Sequence, residues 1–120
     1  MMLERNGKMR SNMKSLTRKE ELIVLSILNL KEDAYLIAIV DHLSAITEKK
    51  VSLTSVHLPL SRLENNGLIA SEFGEATARR GGRRKKIYKI TTMGFEVLEE
   101  YKRVSDRLWE NYPKFSTPKD

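Results

Sequence analysis

The chain has 120 residues, 40% of them apolar and 32% charged, with a formal net charge of +6 and a sequence pI near 9.7. That length suits one domain with one modest core, and the charge points to an acidic partner such as nucleic acid or an anionic membrane. The absence of cysteine excludes disulfides, thiolate zinc sites and a cysteine nucleophile, and fits a reducing, cytoplasmic setting. No apolar run comes near the length of a membrane span, and no apolar segment follows the basic N-terminus as a secretion signal requires.

Met1 to Ser15 mix Arg5, Lys8, Arg10 and Lys14 with Asn6, Gly7, Ser11 and Asn12 and show no sustained period. They are expected to form a mobile basic arm. Thr17-Arg18-Lys19-Glu20 has the spacing of a capping box and opens a helix expected to run to about Leu30. Seven of the nine residues from Leu22 to Leu30 are apolar, so this helix should meet apolar partners on more than one side. Lys31-Glu32-Asp33 interrupts the pattern, and Asp33 is expected to cap a second helix. In that helix Leu36, Ile39, Val40, Leu43 and Ile46 follow helical spacing, while Asp41, Ser44 and Glu48 face away. His42 has no second ligand nearby and reads as a boundary residue, not a metal ligand.

Glu48-Lys49-Lys50 makes the next turn, and Ser52 is the expected cap of a third helix that stops at Asn65-Asn66-Gly67. Leu53, Val56, Leu60 and Leu63 share its inner side. The opposite side carries Thr54, Leu58, Ser61 and Asn65, flanked by Ser55 and Arg62. This face is almost free of acids and rich in short hydroxyl and amide groups, a set that can approach base edges closely, with Leu58 available to a thymine methyl. An ordinary exposed helix face would carry Glu–Lys pairs instead. Pro59 lies inside this helix, removes the bond to the Ser55 carbonyl, and implies a kink or an irregular first turn.

Leu68 to Phe73 reads as a strand and Lys86 to Ile90 as its returning partner, with Tyr88 and Ile90 inward and Lys89 outward. Between them lies the most charged part of the chain. Glu75 to Lys89 holds seven bases (Arg79, Arg80, Arg83, Arg84, Lys85, Lys86, Lys89) against one acid, so the excess of the whole protein is concentrated there. With Gly81-Gly82 at its centre, the stretch suits a hairpin tip pressed against a polyanion; a solvated loop that aids solubility is the plainer alternative. Thr91 or Thr92 caps a last helix expected to continue to Tyr112, about 20 residues or roughly 30 Å. Its apolar residues Phe95, Leu98, Tyr101, Val104, Leu108 and Tyr112 recur every three or four positions. The simplest cover for that stripe is the same helix, with the apolar first helix including Leu22 and Leu25, of a second copy; folding back on its own domain is the alternative. The residues after Pro113 read as a polar tail.

The expected architecture is mainly α with a small β-hairpin: a winged helix-turn-helix over residues 16–91 with its wing at about 68–90, then a dimerisation helix over 92–112. The segments Leu25-Ser-Ile-Leu, Ala34-Tyr35, Val51-Ser-Leu-Thr-Ser-Val, Leu60-Ser-Arg-Leu-Glu-Asn-Asn-Gly-Leu-Ile and Gly81-Gly-Arg-Arg-Lys-Lys-Ile-Tyr-Lys-Ile-Thr, with Gly94 after them, resemble the PadR family of bacterial and archaeal transcriptional regulators. The chain departs from the family pattern at Leu36, where glycine is common, and at His57, where tyrosine is common; Pro59 stands one place later than in many relatives. The resemblance implies a homodimer held by the C-terminal helix, including Trp109. It implies a recognition helix carrying Ser52, Thr54, Ser55, His57, Leu58, Ser61 and Arg62 in the major groove of duplex DNA. It also implies a wing, Arg79, Arg80, Gly81, Gly82, Arg83, Arg84, Lys85 and Lys86, on the flanking backbone or minor groove. Some relatives bind flat aromatic compounds at the dimer interface, which would bring Tyr101 and Trp109 beside a small aromatic effector.

The expected function is therefore a repressor that binds operator DNA as a dimer, with no cofactor and no metal. A winged-helix module that binds RNA or a protein is the alternative. Enzymatic chemistry is not expected: the only histidines, His42 and His57, have no adjacent acid or nucleophile pattern, and no phosphate-cradling glycine loop precedes a helix.

Overall fold

The computed structural model describes residues 16–74 and 84–112. The N-terminal arm (1–15), the wing tip with Arg79, Arg80, Gly81, Gly82 and Arg83, and the tail (113–120) lie outside the described residues. Helix α1, Arg18–Leu30, begins with the capping box that the sequence predicts. The Glu20 amide donates to Thr17 Oγ1 at 3.1 Å, and the Thr17 amide donates to Glu20 Oε1 at 2.9 Å. The helix buries Ile23, Val24 and Ile27 and packs against the second and third helices and the returning wing strand, which is why its apolar content exceeds that of a one-sided helix.

A single 3-10 turn, Lys31–Asp33, follows, and helix α2 spans Leu36–Thr47. Its N-cap is Tyr35 and not Asp33, and no side chain caps it. The reason is tertiary. Ala34, fully buried, accepts the Tyr88 amide at 2.9 Å, and Tyr35 forms an antiparallel bridge with Ile87, so residues 34 and 35 are drawn out as a strand-like rung before a helix can start. Ile39 and Leu43 enter the core, whereas Ile46, expected on the same seam, is 62% exposed. Ser44, expected to face away, accepts the Val51 amide through its hydroxyl at 3.2 Å and pins the turn that leads into the third helix.

Helix α3, Leu53–Asn65, is capped by Ser52, whose hydroxyl accepts the Ser55 amide. Val56, Leu60 and Leu63 are buried; Leu53, expected beside them, is 45% exposed at the first turn. The helix continues through Pro59, whose ring is buried, so apolar contact on the core side offsets the missing hydrogen bond. Three amides close the end: Asn66 to Arg62 O, Gly67 to Glu64 O and Leu68 to Leu63 O, all at 3.0 Å. Gly67 has φ +80°, the left-handed stop expected there.

Strands β1 (Ile69–Phe73) and β2 (Lys86–Ile90) form an antiparallel pair in the register Ile69–Ile90, Ser71–Tyr88 and Phe73–Lys86. Ile69 and Tyr88 face the core and Lys89 faces out beside Glu72. Helix α4, Thr92–Trp109, starts from a Thr91 cap that accepts the Gly94 amide at 3.0 Å. It ends three residues before the expected Tyr112, although Glu110 keeps right-handed helical angles (φ −53°, ψ −33°) and its amide still bonds back to Asp106 O. Val97 and Leu98 sit in the core, so Leu98, expected on the dimer face, belongs to the protomer's own interior. The element order, three helices, a hairpin and a long last helix, is a winged helix-turn-helix with a C-terminal extension.

The start of α4 lies very close to the beginning of the wing. A β-carbon on Gly94 would fall 2.0 Å from the Leu68 carbonyl oxygen and 2.9 Å from Ile90 Cγ2, whereas one on Gly67 would meet nothing within 4 Å. Gly94→Ala is therefore expected to cost at least about 1–3 kcal/mol by overpacking, and Gly67→Ala about 1–2 kcal/mol from its left-handed backbone alone. Thermal melts followed by circular dichroism should rank Gly94→Ala as the less stable; the reverse order would contradict this packing.

Candidate nucleic-acid interface

The outer face of α3 is built by the phase of the helix. With Val56, Leu60 and Leu63 turned inward, Thr54, His57, Leu58 and Arg62 are exposed and Ser61 is half-buried. Leu58 is 59% exposed, as expected of an apolar residue placed outward. Thr54, His57 and Ser61 make no side-chain hydrogen bond among the described residues, so their donors and acceptors are unengaged. Ser52 and Ser55 are occupied differently: Ser52 Oγ accepts the Ser55 amide at 3.1 Å, and Ser55 Oγ donates to the Ser52 carbonyl at 2.9 Å. These two serines primarily finish the helix. Arg62 is also engaged, with Nε 3.4 Å from Glu20 Oε2.

At the C-terminal end of α3 stands the wing stem. The Gly74 amide donates to the Lys85 carbonyl at 2.8 Å, extending the ladder outward, and Arg84 Nε donates to the Gly74 carbonyl at 3.3 Å. Lys85 Nζ lies 4.0 Å from the Tyr35 ring centroid, a cation–π contact that rests its aliphatic stem on the protein surface. Lys86 Nζ is 3.8 Å from Glu64 Oε1 and 5.8 Å from the Tyr88 ring centroid. Glu64 also accepts the Ser71 hydroxyl at 2.6 Å, so one carboxylate at the end of α3 touches both wing strands. Burial, and secondarily that same carboxylate, push the Tyr88 phenol above its ordinary value of 10.0.

At the N-terminal end of α3 is a depression of about 570 Å³ that sequence reasoning missed. Arg18 and Lys19 from the start of α1 and Lys49 and Lys50 from the turn before α3 surround it, with Ser52 and Ser55 shared with α3 and no acidic residue in its lining. The four cations come from segments some thirty residues apart, so no local charge run marks them. One signal was available. Cations in the first turn of a helix oppose the helix dipole, which makes Arg18 and Lys19 unfavourable for α1 itself.

Apolar surface remains uncovered on α4 and in the turn that follows it. Val104, Leu108, Trp109 and Tyr112 are 46%, 73%, 62% and 60% exposed, and Phe95 is exposed near the helix start. Trp109 and Tyr112 touch, with ring centroids 5.2 Å apart and planes inclined by 59°. Tyr101 is half-buried against the core, as is Leu22, and Leu25 is partly exposed on α1. Phe95 borders a second, open groove of about 460 Å³ between α1 and β2, lined by Ile27, Leu28, Ile87 and Ile90 among others. His42 Nε2 sits 3.3 Å from Asn29 Nδ2, a polar contact between α1 and α2 in keeping with a boundary histidine. Among the described residues no cluster of His, Asp and Glu could hold a metal ion, and no helix is long and apolar enough to cross a membrane.

A three-helix core, an acid-poor outward face on the third helix and a basic two-stranded wing define a winged helix-turn-helix regulator. The match to the PadR-like family of transcriptional regulators covers residues 24–100, and the chain belongs to that family. Among solved structures it resembles a PadR-like transcription factor from Bacteroides fragilis, at 29% identity over 89% of this chain and 97% of that one, with a TM-score of 0.63. It also resembles a PadR family regulator from Eggerthella lenta (30% identity, 81% and 82% covered, TM-score 0.61) and a PadR-like regulator from Bacillus cereus (25%, 80% and 94%, 0.61). No curated protein matches the chain.

The raised Tyr88 pKa has a definite sign in stability. A phenol whose folded pKa lies above its unfolded value stabilises the fold fully below pH 10, and that contribution is lost as pH rises through the folded pKa. Urea midpoints measured from pH 8 to 11 should therefore fall more steeply in the wild type than in Tyr88→Phe. Equal slopes would show that Tyr88 ionises as freely in the folded chain as in the unfolded one.

Proposed function

We propose that this chain is a transcriptional repressor that binds duplex operator DNA as a homodimer in the cytoplasm, with residues 16–91 as the DNA-binding domain and 92–112 as the dimerisation element. The observation that carries the reading is the placement of cations around α3. Its outer face offers the unpaired groups of Thr54, His57 and Ser61 with the apolar Leu58 between them, the basic depression lies at one end and the wing stem at the other. Short polar groups sample base edges while the flanking cations neutralise phosphate, so affinity and specificity come from different residues. Arg18, Lys19, Lys49 and Lys50 thus join Arg79, Arg80, Arg83, Arg84, Lys85 and Lys86 as backbone contacts.

The exposed stripe of α4 supports the dimer. A row of Val104, Leu108, Trp109 and Tyr112 left in water is costly, at roughly 25 cal/mol for each Å² of apolar surface. A symmetry-related α4 would cover it. A small aromatic effector that releases the operator would then lie near Tyr101 and Trp109, where an aromatic ring can stack.

If each of two wings covers about three phosphates, log K should fall with log salt with a slope near −5. Replacing Arg83 and Arg84 by Ala should weaken all duplexes alike and flatten that slope, whereas Thr54→Ala or Ser61→Ala should change which duplex is preferred. Gel-shift titrations over a salt series check this, with structured RNA as competitor. Equal responses of the two mutant classes, or preference for the RNA, would overturn the reading.

The dimer is tested separately by sedimentation. Leu108→Asp with Trp109→Asp should convert a dimer to a monomer while the helical spectrum is retained. Leu98→Ala should instead lower stability by about 2–5 kcal/mol as an ordinary core truncation.

A further inference from the structure

One carboxylate on the first helix is bound to the reading helix across 42 residues of sequence, through an oxygen that its local role does not use. Glu20 is 8% exposed. Its Oε1 accepts the Thr17 amide at 2.9 Å, which completes the capping box, and its Oε2 accepts Arg62 Nε at 3.4 Å. Glutamine serves a capping box as well as glutamate does, and an uncharged amide is easier to bury. The negative charge also suits the first turn of α1, but the second oxygen is surplus to the cap and is directed at Arg62.

Arg62 lies one turn beyond Leu58 on the outward face of α3, with its side chain 56% exposed. Because Glu20 takes Nε, the guanidinium is anchored at its inner corner. Its two terminal nitrogens make no hydrogen bond among the described residues. Those nitrogens form the pair of parallel donors that matches the O6 and N7 acceptors of guanine. An unanchored arginine on a helix surface would have to lose more rotamer freedom on binding.

We propose that Glu20 is a positioning residue for base reading: it holds Arg62 so that the terminal guanidinium edge meets a guanine in the major groove. This rests on the duplex-DNA reading above. Charge alone cannot mimic it. Removing a carboxylate near DNA strengthens binding to every duplex, whereas the loss of positioning lowers the ratio between preferred and unrelated duplexes.

The test uses the full-length protein, duplexes selected by it from a randomised library, and a shuffled duplex of equal length as control. In Glu20→Gln the single amide oxygen can keep the Thr17 cap or face Arg62, not both, so α1 should persist while Arg62 is released. The selected-to-shuffled affinity ratio should fall at least about fivefold in Glu20→Gln and in Arg62→Ala. The double variant should fall no further than Arg62→Ala, since the two residues act as one unit. The guanine preference should disappear from duplexes reselected with either variant. Glu20→Asp, which keeps the charge but withdraws the carboxylate by one methylene, should reduce the ratio too. Thr17→Ala, which weakens the cap without touching Arg62, should leave the ratio unchanged.

An unchanged ratio in Glu20→Gln or Glu20→Asp overturns the proposal. So do losses that multiply in the double variant, or a loss in Thr17→Ala as large as that in Glu20→Gln. If the wild type itself selects no duplex over the shuffled control, the duplex-reading function fails, an outcome distinct from any of these.

Discussion

The Leu68 carbonyl joins the two halves of the molecule. It follows the left-handed stop of α3 at Gly67, accepts the Thr91 amide at 3.1 Å, and lies so close to α4 that only the absence of a side chain at Gly94 admits the helix. The Thr91 hydroxyl also donates toward Gly67 O, at 2.7 Å, with Leu68 O at 3.1 Å, and accepts the Gly94 amide. The end of the reading helix, the first residue of the wing and the first turn of the long helix are thereby fixed to one another. Interfaces made of backbone at contact distance have little compliance, because there is no flexible side chain to rotate out of the way. A displacement of α4 is consequently transmitted to α3 and the wing. That rigidity is what the proposed function requires if events at α4 are to reach α3 and the wing.

A second set of contacts governs the wing itself. The Ala34 carbonyl holds the Tyr88 amide, Tyr35 bridges Ile87, and Glu64 reaches both Ser71 and Lys86. Two strands alone are marginal in water, so the hairpin depends on these attachments to α2 and α3. The attachments to α3 fix how far the wing stands from that helix, which under the proposed function sets the spacing of the two DNA contacts. Lys85 on the Tyr35 ring serves the same end and keeps its ammonium accessible.

Much of this was readable from local chemistry. The capping box at Thr17, the Ser52 cap, the Gly67 stop and the alternation in Lys86–Ile90 each depend on residues within four positions of one another, and all were found where the sequence places them. The failures share a cause. Asp33 is a good cap by composition, but the hydrogen bond between Ala34 and Tyr88 spans 54 residues and pulls the segment out of register with that role. Periodicity put Ile46 and Leu53 inside, yet both lie at helix ends where the core has already curved away. Leu98 has the same spacing as its exposed neighbours and differs only in lying where α4 still crosses its own domain. The basic depression has no local charge run to mark it, because Arg18, Lys19, Lys49 and Lys50 meet only after α1 and α3 pack. Arg62 was legible as an exposed cation but not as one held by Glu20.

If α3 reads duplex DNA as proposed, the short side chains on its outer face impose a condition that the rest of the interface must meet. Threonine, serine and leucine reach base edges only when the helix backbone sits deep in the groove, and burial of that kind is opposed by the cost of ordering and desolvation. Few direct contacts are available on α3 to offset it. The cations therefore have to act at both ends of the helix, and their placement fits: a basic depression before the first turn of α3 and the basic wing stem beyond its last. A helix held at one end alone could pivot out of the groove, and held at both it can only slide along it. Under the role proposed for Glu20, Arg62 then limits the sliding, because a guanidinium anchored at Nε can meet a guanine at one register and not at the next.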